Sequence, residues 1–224
     1  MSTPVIFLDI DGVLNDESWL RAVIARYPGA FRWSIELAQE LLDPIRCARV
    51  QRICDATGAA IVIVSGWRRH APAADIARLL ANRGLTAPVI GAVGGVRFSG
   101  DTRDDATAEW LHNHPEVTRY VVIDDDALAW GSEWIKRWVR PVDGIGDEHV
   151  PRAIVILGES ILPTAPTLAS IARAHGVNPV TYRHRIRVSH MTPEEAARPA
   201  LTLAQCGRLG GLASAHARSN RKEP

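Results

Sequence analysis

Five polar residues follow runs of apolar ones in this chain, and their types decide which chemistry is open to it. Asp9 and Asp11 come after Val5-Ile6-Phe7-Leu8, Ser65 after Ala59-Ala60-Ile61-Val62-Ile63-Val64, and Asp124 and Asp125 after Tyr120-Val121-Val122-Ile123. Carboxylates gathered in one place repel one another unless a cation or a bound proton offsets them. Oxygen ligands of this kind suit a hard ion such as Mg²⁺ far better than zinc. Beside such an ion, a phosphoryl group is open to in-line attack by a carboxylate, which yields a covalent intermediate. Asp11, two residues beyond Asp9, can protonate the leaving oxygen and later activate water. Gly12 lets the chain turn just past it. Ser65 offers a hydroxyl, and Gly66 and its neighbours offer backbone N–H groups, to phosphoryl oxygens. A cation must also balance the transferring group, and Arg68, Arg69, Arg97 and Arg103 are the nearby candidates.

These residues converge only if the apolar runs are neighbouring strands of one sheet. Each run is apolar throughout and bounded by charged or turn residues, as expected of strands buried on both faces. Helical patterns separate them. Residues 15–42 read as helical, broken at Pro28-Gly29, and Asp43-Pro44 opens a helix that ends near Gly58, with Asp as N-cap and Pro at the first position. That helix is expected to turn Ile45, Ala48, Ile53 and Ala56 to the core. Ala73 to Ala81 repeats the pattern with Ile76, Leu79 and Leu80, Pro88-Val89-Ile90 allows a short strand, and Asp105 to His112 forms a helix with Trp110 and Leu111. Ala153 to Leu157 fits a last strand or a helix opening equally well. Strands alternating with helices predict an α/β fold with a parallel sheet, where sites form beyond the carboxyl ends of the strands.

The string Phe7-Leu8-Asp9-Ile10-Asp11-Gly12-Val13-Leu14 resembles motif I of the haloacid dehalogenase-like (HAD) superfamily. That resemblance implies a Rossmann-like parallel sheet with helices on both faces. It also implies that Asp9 is the nucleophile and Asp11 the acid and base, with Mg²⁺ on Asp9 and the Asp11 carbonyl. Ile63-Val64-Ser65-Gly66-Trp67-Arg68 is similar to motif II, with Ser65 as its phosphate-binding hydroxyl. Val122-Ile123-Asp124-Asp125 is similar to motif IV, the acidic metal-binding pair. Arg103-Asp104-Asp105, followed by Trp110-Leu111, partly resembles a motif III stretch of phage and bacterial HAD proteins that include nucleic-acid repair enzymes. There Asp104 replaces a Gly and Ala106 a Glu, and Arg103 would bind phosphate. The resemblance implies a phosphomonoester hydrolase.

Composition bounds the rest. The chain has 224 residues, 46% of them apolar, and seven tryptophans, enough for a real core. The N-terminus has no basic run before an apolar stretch, and no uncharged apolar run is long enough for a membrane span. Cys47, Cys54 and Cys206 lack metal-ligand spacing, so a cytoplasmic, reducing location is the expectation. The net charge of +1 hides a division: residues 1–160 carry 17 Lys and Arg against 22 Asp and Glu, whereas residues 161–224 carry 9 against 3. Residues 1–158 are accordingly read as the catalytic domain, 159–166 as a linker, 167–200 as a small basic all-α module and 201–224 as a basic tail.

Within that module, Gly176-Val177-Asn178-Pro179 supplies a turn and a helix start, and Thr192-Pro193-Glu194-Glu195 a capping box. Two short helices about a Gly-containing turn form the helix-turn-helix signature. The segment from Ile171 to Ile186 resembles small phage and bacterial DNA-binding modules. By that resemblance Asn178, Thr181, Tyr182, Arg183 and Arg185 face nucleic acid, and Ile171, Ala172, Val177 and Ile186 form the core; Arg187, four residues after Arg183 and on the same helix face, offers a further phosphate contact. Docking on protein is the alternative use of the same segment.

The expected substrate is a phosphorylated DNA or RNA end, a 3′-phosphate among the candidates, because the inserts between motifs are too short for an independent lid. Free nucleotides or small metabolites remain open as substrates. A nucleic-acid-binding regulator that has lost turnover is the third reading.

Overall fold

The computed structural model describes residues 3–27, 34–94 and 103–159, and in the C-terminal part residues 172, 174–177, 181, 182, 185, 189 and 191–198. The chain divides into two compact units, Met1–Thr167 and Leu168–Pro224.

In the first unit the elements run β1 (Val5–Leu8), α1 (Glu17–Arg26), α2 (Ile35–Leu41), α3 (Pro44–Thr57), β2 (Ala60–Ile63), a 3₁₀ turn (Gly66–Arg69), α4 (Ala73–Ala81), β3 (Val89–Ala92), α5 (Arg103–Asn113), β4 (Tyr120–Ile123), β5 (Trp138–Val139) and α6 (His149–Gly158). Among the described residues the five strands are parallel and lie in the order β3-β2-β1-β4-β5. β1 is central, with Leu8 paired to Ile63 on one side and Ile123 on the other. The strands after β1 wind outward in opposite directions, so the topological switch point lies between β1 and β4, where open α/β sheets bind ligands.

Pleating sends alternate residues to opposite faces. Ile6, Leu8, Ile61, Ile63, Val121 and Ile123 share one core cluster with α3, α4 and α6. Phe7 faces the other way, edge-on to Trp110 of α5 at 5.4 Å. Helices therefore cover both faces, as the apolar strands require.

One expectation is corrected, one open reading is decided and one strand is new. The inward stripe of α3 is Arg46, Cys47, Val50, Ile53 and Cys54, while Ile45 is 63% exposed and Ala48 and Ala56 are exposed. The helix turns because Arg46 pairs with Asp16 and with Asp43 (3.4 Å) inside the fold, which a hydrophobic pattern does not reveal. Of the two readings open for Ala153 to Leu157, the helical one is found, as part of α6. The fifth strand is Trp138–Val139, too short to stand out in the sequence.

The predicted start of α3 is observed: the Asp43 side chain accepts from the Ile45 N–H, and Gly58 closes the helix at φ 67°. Among the described residues, no helix is long and apolar enough to cross a membrane. In the second unit, Ala172, Val177, Tyr182, Ala196 and Ala197 form a small buried cluster. A short helix there, α7 (Pro193–Ala196), begins at the predicted capping box: Glu195 N–H donates to Thr192 Oγ1 at 3.3 Å and Thr192 N–H to Glu195 Oε2 at 2.9 Å.

Candidate active site

Asp9 leaves β1 at the switch point, held there by its N–H donating to the Ile123 carbonyl at 3.0 Å. Its side chain is almost wholly buried. Asp124 leaves β4 directly alongside and is also fully buried. Carboxylate oxygens of Asp9, Asp124 and Asp125 lie within 4.8 Å of one another. Arg103, at the first turn of α5, joins the pair: Nη1 donates to Asp9 Oδ2 at 2.6 Å and to Asp124 Oδ2 at 2.7 Å and Oδ1 at 2.9 Å.

Three carboxylates around one guanidinium leave the cluster short of positive charge. Burial first, and then the Asp124 charge, push Asp9 up to about 7; Arg103, the Ile10 N–H and the Ser65 hydroxyl offset only part of this. Burial also raises Asp124 against the pull of Arg103, and burial with the Asp124 charge raises Asp125. Burial disfavours charge on Arg103, yet Asp9 and Asp124 outweigh it and hold the guanidinium protonated. A buried, all-oxygen, under-neutralised donor set fits a hard divalent cation. Asp9, Asp124 and Asp125 could hold one, consistent with Mg²⁺ use.

Gly12 is required by this arrangement. Its φ is +73°, and a Cβ there would fall 2.2 Å from Asp125 Oδ2. The turn is tied from behind, with Gly144 N–H donating to the Gly12 carbonyl at 3.1 Å and Ile145 N–H to that of Val13 at 2.9 Å. Gly144 has its own reason to lack a side chain, since a Cβ would meet the Arg46 guanidinium at 2.0 Å.

Residues 5–150 match the HAD domain in Swiss Army Knife RNA repair proteins. The chain belongs to this family. No curated protein matches it.

Within the HAD domain, the predicted residues gather unevenly. Asp9, Ser65, Arg103, Asp124 and Asp125 come together, and Ser65, fully buried, has a hydroxyl that lowers the pKa of Asp9 and accepts from Trp67 N–H at 3.3 Å. Asp11 is exposed and its carboxylate stands outside the metal-ligand cluster. Gly66 opens the 3₁₀ turn, with open space where a Cβ would stand. Of the other candidate cations, Arg68 is buried with Nη1 donating to the Ser65 carbonyl at 2.6 Å, Arg69 is exposed, and Arg97 lies outside the described residues. Burial, followed by the charges of Arg103 and Arg69, lowers Arg68 to about 10. Asp126 accepts from Leu128 N–H at 2.9 Å and shapes the turn after the motif.

Sequence reasoning missed several residues of this HAD domain. Trp67 Nε1 donates to Asp11 Oδ2 at 2.9 Å, and the buried Asn15 donates from Nδ2 to Asp11 Oδ1 at 3.2 Å. Trp138 Nε1 donates to the Asp124 carbonyl at 2.7 Å and Arg140 Nε to that of Asp125 at 3.0 Å, so β5 anchors motif IV. The position of Asn15, four after Asp11, was the only visible signal; the other contacts join distant parts of the chain.

The family match ends at residue 150 and assigns nothing to the second unit. There, Tyr182 is corrected from a nucleic-acid-facing residue to a core residue: the rest of its cluster is Ala and Val, and the ring supplies most of the buried bulk. Arg185 is half-buried, with Nη1 donating to the Ala196 carbonyl at 2.9 Å and also to that of Arg198, which satisfies carbonyls at and just past the end of α7. Thr181 is exposed. Asn178, Arg183 and Arg187 lie outside the described residues.

Proposed function

We propose that this protein is a Mg²⁺-dependent phosphomonoesterase that acts through an aspartyl-phosphate on RNA or DNA ends. The observation that carries the reading is the pairing of a buried Asp9, in contact with Arg103, with an exposed Asp11 two residues on. In the first half-reaction an Asp9 carboxylate oxygen attacks phosphorus, the ester P–O bond breaks, and Asp11 gives its proton to the leaving alkoxide. In the second, Asp11 takes a proton from water, the water oxygen attacks phosphorus, and the bond to Asp9 breaks to release inorganic phosphate. A Mg²⁺ ion, which Asp9, Asp124 and Asp125 would hold, would supply charge neutralisation for the phosphoryl transfer. Arg103 and the Ser65 hydroxyl serve the transferring group, and the N–H groups at Gly66 serve its remaining oxygen.

The leaving group departs on the Asp11 side, which faces solvent and so accommodates a polymer. Arg140 is exposed beside Asp125, with its ring-facing guanidinium 5.8 Å from the Trp138 centroid, a cation where a flanking phosphodiester would pass. The RNA-repair setting of the family points the same way. The excess of Lys and Arg in residues 161–224 supports a supplementary nucleic-acid contact, with Asn178, Thr181, Arg183 and Arg187 as its candidates.

The test compares a 3′-phosphorylated oligoribonucleotide, its 5′-phosphorylated and deoxy counterparts, and mononucleotides, each with Mg²⁺ and with EDTA. Metal-dependent phosphate release favouring one of the oligonucleotides is expected. A preference for mononucleotides of about a hundredfold, nearly 3 kcal/mol in transition-state stabilisation, would remove nucleic-acid ends from the reading.

A further inference from the structure

The two hydrogen bonds on Asp11 come from different parts of the fold and reach different oxygens. Trp67 sits in the 3₁₀ turn that follows β2, 4% exposed, and its indole N–H reaches Asp11 Oδ2 at 2.9 Å. Asn15 is wholly buried in the loop after β1, and its Nδ2 reaches Asp11 Oδ1 at 3.2 Å. The same amide accepts from Gly12 N–H through Oδ1 at 2.9 Å. That second bond fixes which way the amide points, because the reversed group would set two donors against each other. An aspartate at position 15 could not do this, lacking a donor for Asp11.

From this geometry we infer that Trp67 and Asn15 are positioning residues that aim the Asp11 carboxyl at the leaving oxygen. The inference rests on the reading of Asp11 as general acid in the proposed function. An exposed carboxylate is otherwise free to rotate among its staggered positions, and proton transfer requires one of them. One donor on each oxygen removes that freedom and leaves lone pairs on both for the transferred proton. Indole N–H is a donor only, so it orients Asp11 without competing for that proton. Trp67 also reaches this place because the Ser65 side chain accepts its backbone N–H, which couples the acid's orientation to the residue beside the nucleophile.

The signature of such a role is dependence on the leaving group. Nitrophenolate departs without a proton, whereas an alkoxide needs one. Trp67→Phe keeps most of the buried ring and loses only the donor. Its kcat/KM with Mg²⁺ should be measured on p-nitrophenyl phosphate and on β-glycerophosphate. The ratio of the first to the second should rise at least about tenfold over wild type, in the direction set by Asp11→Asn, which should show a larger rise. Asn15→Ala, if its melting temperature shows it folded, should raise the ratio too. An unchanged ratio in Trp67→Phe, whether both esters slow equally or neither does, overturns the positioning role while leaving the phosphatase reading intact. A wild type that hydrolyses neither ester, nor any phosphorylated end, overturns both.

Discussion

Asp9 and Asp16 are both buried carboxylates on the same loop-bearing segment after β1, and the fold treats them in opposite ways. Asp9 shares one arginine with two further aspartates, and burial together with Asp124 raises its pKa. Asp16 meets burial as well, but bonds from the Ser18 hydroxyl, the Trp19 N–H and Arg46 outweigh it and lower the group to about 2. Arg46 lies inside with Asp16 and Asp43 as its partners and adds a bond to the Ile145 carbonyl at 3.3 Å. One cluster is under-neutralised where a cation and a phosphoryl group would come; in the other each carboxylate accepts hydrogen bonds, although the buried Arg46 Nε donates none, and it secures the loop that carries the first. A buried acid marks function when its neighbours leave it short of partners, and structure when they complete it.

The largest effect expected from breaking this contrast is on turnover. Asp9→Asn should lower phosphate release at least about a thousandfold, because the nucleophile is lost. The same change relieves repulsion with Asp124, so the melting temperature without metal should hold or rise. A variant that keeps turnover would refute the assignment of Asp9.

Arg46→Met attacks the second cluster instead. It leaves Asp16 and Asp43 buried without their cation, at a cost of about 3–5 kcal/mol, or on the order of 10 °C in melting temperature for a domain of this size. Thermal unfolding followed by circular dichroism checks it. A shift below about 2 °C would mean that the pair contributes no more than a surface salt bridge.

The smallest effect is a difference in pH response. Asp9 has a folded pKa above its unfolded one, so stability without metal should fall as pH rises from about 4 through about 7, where the buried carboxyl must lose its proton. Asp16 has the reverse shift, and its contribution should be lost as pH drops from about 4 towards 2. Mg²⁺ competes with the proton on the first cluster only, and should therefore raise the melting temperature more at pH 8 than at pH 5. An equal Mg²⁺ effect at both pH values would detach the cation from Asp9.

Much of the site was legible because strands and turns are local. Continuous apolar runs defined β1, β2 and β4, and the polar residues at their ends had to meet once those strands paired in parallel. Motif spacing around Asp9, Ser65 and Asp124, and the start and stop of α3, needed no knowledge of distant contacts. What the amino-acid order could not specify depended on residues brought together from far apart. The inward turn of Arg46 follows from Asp16, Asp43 and Ile145, and a charged residue carries no hydrophobic signal to announce it. Trp67 reads as a packing aromatic until the 3₁₀ turn lays its N–H on Asp11. Tyr182 reads as a surface contact until its ring is needed among alanines. Local sequence determines which backbone forms and where a catalytic type can stand; the polar and aromatic partners that complete each group are decided by tertiary packing, because a hydrogen bond depends on distance in space and not along the chain.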